Sequence, residues 1–205
     1  MGVFKIIKMK RKTDAQMKKS MDDYLQKTEM DVQIKESMDD YFHKTEVYKH
    51  LKKGELANIS DDDLRTAVMS WMWGKFDDNQ YEVIESLPKP CRDVYASCTV
   101  DDEINNGGLN QLFFNSTKQF AKMAQEGFRD IGSEILSNIM ETAIEIYAKN
   151  KELLEKYNDG TLESFSESYN ENLFAELDNG FFEAEPKFDT YLQVYIRKNE
   201  SVFGD

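Results

Sequence analysis

The strongest constraint on the fold is a break in an otherwise helical pattern, at the four residues Asn105–Gly108. Both glycines of this segment adopt positive φ without steric cost, and the two asparagines tolerate it and can bond to their own backbone. Directly after it an apolar helix face begins, with Leu109, Leu112, Phe113 and Phe114. The sequence therefore predicts a sharp turn that joins two helices.

The rest of the chain also has helical periodicity. Alternation of apolar and polar residues, which is typical of strands, is scarce. Gly132 and the pair Asp159-Gly160 stand where helices are expected to stop. We expect an all-α protein, a single compact multi-helix domain with an N-terminal amphipathic helical extension. Besides helices after Ser60 and through Val94, Tyr95 and Cys98, the predicted helices are roughly 109–115, 118–129, 133–149, 150–157, 162–174 and 186–199. Residues 173–188 are expected to hold a short non-helical packing segment.

Residues 14–30 and 31–47 form a tandem repeat without gaps, and 11 of the 17 positions are identical. Each copy places four apolar residues on one helix face, Met17, Met21, Tyr24 and Leu25 in the first and Ile34, Met38, Tyr41 and Phe42 in the second. The more ordinary interpretation is a duplicated helix that packs on the body or on another subunit. The sharper one is a mobile basic arm that docks a partner.

The sign of the net charge also changes along the chain, a few residues after the end of the repeat. Residues 1–53 contain 13 Lys and Arg against 9 Asp and Glu, a net charge of +4, whereas residues 54–205 contain 13 against 30, a net charge of −17. We predict two parts, a basic amphipathic extension over residues 1–53 and an acidic helical domain over residues 58–205. A strongly acidic body favours basic partners over direct nucleic-acid or membrane binding. Solubility alone is the competing explanation of the charge.

Several classes of site are absent from the sequence. It has no glycine-rich phosphate loop, nucleophile elbow or zinc-ligand spacing, so we expect no enzyme activity, metal or cofactor. Cys91 and Cys98 are expected to be buried free thiols in a reducing compartment. A secretory signal and a membrane-length apolar stretch are also missing, so the expected location is the cytoplasm.

Some carboxylates have a local structural explanation. Asp61, Asp62 and Asp63 follow Ser60, which is predicted to cap a helix, and the helix dipole favours acids there. Glu103 lies near the end of the helix before the turn, where negative charge is unfavourable. We therefore predict that Glu103 reaches across the turn to free backbone N–H groups at the start of the next helix.

Other glutamates have no such explanation. They recur at intervals that place them on one face of a helix, where like charges repel, and few Lys or Arg residues are expected nearby to offset them. Rows of this kind could present a phosphate-like array to a basic protein, although a solvated helix face is the simpler interpretation. The candidate partner-binding residues are Glu134, Glu141, Glu145, Glu152, Glu155, Glu163, Glu167 and Glu171.

The segment EINNGGLNQLFFNS resembles the hallmark of the bacterial DNA-mimic protein family first characterised in Neisseria. The resemblance covers roughly Ser60 to Phe203 and leaves the extension without a counterpart. The matching structural-motif residues are Glu103, Asn106, Gly107, Gly108, Leu109, Gln111, Phe113, Phe114, Asn115 and Ser116.

The resemblance implies an all-helical, dimeric, acidic protein without enzyme activity. Such a protein would occupy the DNA-binding surface of a basic partner, for example a helix-turn-helix transcriptional regulator, and would not bind nucleic acid itself. Alternatives are an inhibitor or immunity protein against a nuclease or another defence enzyme, and a dimerisation module built on the repeat. A different class is an enzyme with a polar pocket near Gln111 and Asn115.

Overall fold

A computed structural model describes residues 18–19, 32–76, 80–159 and 161–205. The predicted all-α fold is confirmed, since these residues form helices and turns without a strand. The first repeat copy lies outside the described residues except for Lys18 and Lys19. The helices are α1 (Val32–Tyr48), α2 (Leu64–Trp73), α3 (Gln80–Ser86), α4 (Lys89–Phe114), α5 (Ala121–Ile131), α6 (Glu134–Glu155), α7 (Leu162–Ser168), α8 (Ala175–Ala184) and α9 (Phe188–Lys198).

Helix α4 is the centre of the fold. It packs against α5, which packs in turn against α6, and α2 and α9 also contact α4. Gly127 permits the close approach of α5, because a Cβ there would lie 2.8 Å from the backbone oxygen of Asp93 and 2.5 Å from Ser97 Oγ. The predicted inward face of α2 is also found, and Leu64, Val68, Trp71 and Met72 are all buried.

Three predictions of helix boundaries are wrong. The separate helices 133–149 and 150–157 are the single helix α6, because Asn150 does not interrupt the backbone and its Nδ2 donates to the carbonyl of Ile146. Most of the segment 173–188 is helical, as α8, and both Phe181 within it and Phe174 at its N-cap are buried. In addition, the helix predicted over 162–174 ends at Ser168 and continues as a 3-10 turn.

The prediction that Ser60 caps a helix with its side chain is also wrong. Ser60 precedes a 3-10 turn over Asp61–Asp63, but its side chain does not accept from the backbone. Its Oγ donates instead to Asp63 Oδ2 at 3.1 Å. The Ser60 hydroxyl is thus bonded to the carboxylate of Asp63 and does not cap the backbone. Helix α2 begins only at Leu64.

The two cysteines lie inside the helical body, as expected. Cys91 and Cys98 are free and buried on α4. Burial raises the pKa of Cys91 to about 12 and that of Cys98 further still. Both thiols are therefore protonated packing groups.

The end of the predicted extension is tied to the body. Leu51 is buried, its carbonyl accepts from the backbone N–H of Asp205, and the N–H of Lys53 donates to the carbonyl of Asp205. Asp205 Oδ1 also accepts from Trp71 Nε1 and Lys75 Nζ. The division at residues 53 and 58 stays a prediction, but these contacts attach residues 51–53 to the acidic part of the chain.

None of the helices in the described part of the chain is long and apolar enough to cross a membrane.

Arg65 joins three helices on one side of the body. Its guanidinium donates to Asp101 Oδ2 at 2.7 Å and Asp102 Oδ1 at 2.9 Å on α4, and to Asp189 Oδ1 at 3.0 Å on α9. Asp101 is buried, and its Oδ1 accepts from Asn105 Nδ2. Burial raises the pKa of Asp101 from 3.8 to about 6, even though Arg65 acts in the opposite direction.

This raised pKa predicts a pH-dependent stability. The folded protein holds the proton of Asp101 more tightly than the unfolded chain does, so its contribution to the free energy of unfolding falls as the pH rises from about 4 to about 6. The Asp101→Asn variant lacks this titration. We expect the melting temperature of the variant minus that of the wild type to increase across this range. Melting curves at pH 4, 5, 6 and 7 measure it, and a constant difference would contradict the assignment.

Candidate partner-binding surface

The Asn-Gly-Gly segment is a kink inside α4. Gly107 has φ −169° and ψ 27°, and Gly108 has φ 71° and ψ −178°, so the helix stops and restarts without an intervening loop. The conformation of Gly108 is one that only glycine adopts readily. A Cβ at this position would also lie 2.8 Å from Asp178 Oδ2. The predicted turn is therefore a kink of two residues, which joins the two helical segments directly.

The break leaves backbone groups that need partners. Leu109 opens the short second segment of α4, residues 109–114, and its N–H donates to Asp178 Oδ1 at 2.8 Å. The carbonyl of Gly107 accepts from Tyr169 Oη at 2.7 Å. Asp178 belongs to α8 and Tyr169 to the turn after α7. The kink is therefore closed by two elements that lie about seventy residues further along the chain.

Glu103 crosses the kink, but not to the backbone. Its Oε1 accepts from Gln111 Nε2 at 2.8 Å and from Asn115 Nδ2, and its Oε2 accepts from Thr117 Oγ1 at 3.0 Å. The prediction that Glu103 would bind free N–H groups of the next helix is wrong in its partners, because Asp178 takes that role for Leu109. The carboxylate is only 5% exposed and is balanced by neutral donors.

The remaining motif residues have distinct environments. Phe113 is buried and stacks on Tyr147 at 4.6 Å between ring centroids, while Phe114 is half-buried against Phe165. Ser116 is exposed at the start of the 3-10 turn Ser116–Phe120. Two buried atoms, Asn106 Nδ2 and Gln111 Oε1, have no hydrogen-bond partner.

The side-chain amides of Gln111 and Asn115 serve the kink in the described structure. The amide nitrogens of Gln111 and Asn115 both donate to Glu103, and Gln111 is only 2% exposed. A small cleft on the same stretch of α4 has room for about one water molecule and is lined by neither residue. Within the described residues, no three or more His, Cys, Asp or Glu side chains are placed to hold a metal ion.

The candidate glutamates lie elsewhere, mostly on α6. Glu134, Glu141, Glu145 and Glu152 are exposed. At 100° per residue they fall within ~40° of one another and extend over ~27 Å of helix. The opposite side of α6 is anchored in the core through Leu136, Met140, Ala143 and Leu154. We call these four glutamates the α6 row.

The other candidates flank this row. Glu155 is exposed near the end of α6, and Glu163 and Glu167 are exposed one turn apart on α7. Glu171 is only partly exposed and accepts a hydrogen bond from Tyr157 Oη, so the end of α6 approaches the turn after α7. The two sets of acids therefore meet near Tyr157.

Two of the glutamates have basic neighbours that the sequence reasoning discounted. Lys149 Nζ lies 3.4 Å from Glu145, and Lys151 Nζ lies 3.6 Å from Glu155. All four side chains are more than half exposed, and such pairs contribute little to stability. The expectation of unoffset charge is thus wrong for these two residues.

Three residues at the kink were missed by the sequence analysis. Thr117 follows the motif directly, and a hydroxyl so close to a buried carboxylate was a usable signal. Asp178 and Tyr169 gave none, because their contacts depend on how distant helices return to α4. Glu103 and Asp178 therefore support the kink, whereas the candidate glutamates lie on α6, on α7 and in the turn after α7.

Residues 85–199 match the family of DMP19-like proteins. The match covers more than half of the chain and includes Glu103 to Ser116, so the protein belongs to this family, which is not a known family of enzymes. No curated protein and no solved structure shows significant similarity to the chain.

The positive φ at Gly108 makes it the most sensitive backbone position of the kink. We expect Gly108→Ala to lower the free energy of unfolding by about 2–4 kcal/mol, because it adds backbone strain and displaces Asp178 from the N–H of Leu109. Thermal melting should show a loss of several degrees. Gly180→Ala is the control, since Gly180 is helical and its added Cβ would have an ordinary contact at 3.5 Å. Equal melting temperatures for the two variants would contradict this account.

Glu103 provides a second test. Glu103→Gln keeps the shape of the side chain but replaces an acceptor oxygen by a donor that faces other donors. We expect a loss of about 2–4 kcal/mol in the free energy of unfolding, measured by denaturant titration. Glu141→Gln removes the same charge from an exposed position and should change stability by less than about 0.5 kcal/mol. A Glu103→Gln variant as stable as this control would show that the carboxylate does not support the kink.

Proposed function

We propose that this protein is a non-enzymatic DNA mimic, which occupies the DNA-binding surface of a basic partner such as a helix-turn-helix transcriptional regulator. The observation that carries the proposal is the α6 row, four exposed glutamates aligned on the face of a helix whose other face is buried. Membership of the DMP19-like family supports it. The net charge of −17 over residues 54–205 supports it as well.

The α6 row suits this role because it extends along most of the helix and because the opposite face of the helix is packed in the core. Its ~27 Å correspond to about eight base-pair steps along a duplex, although its charges are more widely spaced than phosphates. Because α6 packs on α5 and α8, its backbone is already fixed before a partner binds. Binding therefore does not carry the entropy cost of ordering this helix. Glu155, Glu163, Glu167 and Glu171 extend the acidic surface at one end.

An inhibitor of a nuclease or another defence enzyme would use the same surface. The chemistry of recognition is shared, because both partners present a basic groove shaped for nucleic acid. Identification of the captured partner distinguishes the two. In either case the acidic protein would act as a homodimer or a monomer without touching nucleic acid itself.

The test begins with capture of partners from the native host by the full chain. We expect a basic DNA-binding protein that duplex DNA displaces, and an affinity that falls steeply with salt. A variant with the α6 row neutralised, Glu134→Gln, Glu141→Gln, Glu145→Gln and Glu152→Gln, should bind about 10-fold more weakly or worse.

The matched control removes the same charge from exposed glutamates on α3, α5 and α8, through Glu82→Gln, Glu85→Gln, Glu126→Gln and Glu176→Gln. It should weaken binding by less than about 3-fold, since these residues lie outside the row. Recovery of only neutral or acidic partners, binding indifferent to salt, or equal losses in the two variants would each count against the proposal.

A further inference from the structure

The second repeat copy, residues 31–47, binds the body through α1. This helix packs against α2 and contacts the turn before α2 through Lys44. Lys44 Nζ donates to Asp63 Oδ1 at 3.3 Å, and it also pairs with Asp40 one turn back on its own helix. Tyr41 lies close enough to Arg65 and Asp102 to interact with their charges. We call the surface formed by α2 and Asp61–Asp63 the docking face.

The first copy repeats the two residues of α1 that interact with the docking face, together with Asp40 and two partly buried residues, in the same register. Lys44, Asp40, Tyr41, Met38 and Thr45 correspond, 17 positions earlier, to identical residues, which are Lys27, Asp23, Tyr24, Met21 and Thr28.

The described differences between the copies are small or lie on the exposed side. Phe42, which is half-buried, is replaced by Leu25, an apolar residue of similar reach. His43 and Val47 are both exposed in α1, so their replacement by Gln26 and Met30 changes little of the buried contact. Of the four partly buried repeat positions in α1, Met38, Lys44 and Thr45 are therefore identical in the first copy, and the fourth stays apolar.

We propose that the docking face accepts residues 14–30 in place of residues 31–47, so that the chain has two alternative ligands for one surface. Both copies would pair a lysine with Asp63, and only one of them can do so at a time. The second copy has the advantage of position, because it continues directly into Tyr48, which packs on the core, and Leu51, which is buried. Exchange for the first copy leaves 17 residues as a loop, and the cost of closing a loop grows only with the logarithm of its length.

Cross-linking in the full chain tests this exchange. Gln26→Cys and His43→Cys stand at the same repeat position, and Asp62→Cys places a thiol on the docking face beside Asp63. The His43→Cys/Asp62→Cys chain calibrates the yield of a bis-maleimide linker for the docked second copy. The native thiols, both buried, do not compete. We expect the Gln26→Cys/Asp62→Cys chain to cross-link as well, in lower yield.

Two further substitutions separate docking from chance encounters. Met21→Asp with Leu25→Asp disrupts the apolar face of the first copy and should reduce its cross-link at least fivefold. Lys44→Glu weakens only the second copy and should raise the cross-link at position 26 severalfold. Cross-links between two chains, seen as a doubled mass, would place the first copy on the docking face of a second molecule and also support the proposal. A yield that neither change alters would overturn it.

Deletion of either copy provides a measurement that does not depend on thiols. Removal of residues 31–47 joins the first copy to Tyr48 in the register of the second, and removal of residues 14–30 leaves the second copy in place. We expect the two chains to melt within about 5 °C of each other. A chain without residues 14–47 should melt lower than both. If removal of residues 31–47 alone has the same effect as removal of both copies, the first copy does not bind the face.

Discussion

The carboxylates of Glu103 and Asp178 allow the longest helix of the described chain to break and restart toward its C-terminal end. A helix that stops and restarts leaves backbone N–H and carbonyl groups without partners. Here Asp178 accepts from the restarting end, and Glu103 collects three side-chain donors from beyond the kink. Helix α8 and the turn after α7 must return to α4 to complete this arrangement. The order of the later helices around α4 therefore depends on it.

The fold class could be predicted because its signals are local. Helical periodicity, the inward face of α2 and the break at Gly107 and Gly108 each depend on a few neighbouring residues. Helix boundaries were predicted wrongly where a local signal was misleading. Asn150 was expected to mark the start of a new helix, but its side chain donates to the carbonyl of Ile146 and α6 continues through it. The same holds for Ser60, whose hydroxyl donates to Asp63 and does not cap α2.

The closure of the kink could not be predicted, because it is a property of the tertiary structure. Nothing near Asp178 in the sequence indicates that its carboxylate meets the N–H of Leu109, 69 residues earlier. Glu103 was correctly suspected of crossing the turn on electrostatic grounds. The predicted partners were wrong, because the side-chain amides of Gln111 and Asn115 lie within hydrogen-bonding distance of the carboxylate and donate to it in place of backbone N–H groups. Electrostatic reasoning indicated that backbone N–H groups at the kink need an acceptor, and the tertiary packing determined that Asp178 is this acceptor.

Burial separates the acids that the sequence presents as one excess of charge. Asp93, Asp101 and Glu103 are inside the body and are engaged with Lys89 and Tyr195, with Arg65, and with neutral donors respectively. Only the exposed acids are available to a partner. A count of charge alone therefore overstates the acidic surface, and the positions along α6 describe it better.

The buried cysteines have a consequence for how the protein responds to oxidants. A thiol reacts with peroxide or with a disulfide through its thiolate, and both Cys91 and Cys98 are held protonated and out of contact with water. They are also the only sulfhydryl groups of the chain. Thiol oxidation therefore has no accessible target within the helical body, and the positions of the exposed glutamates on α6 do not depend on it.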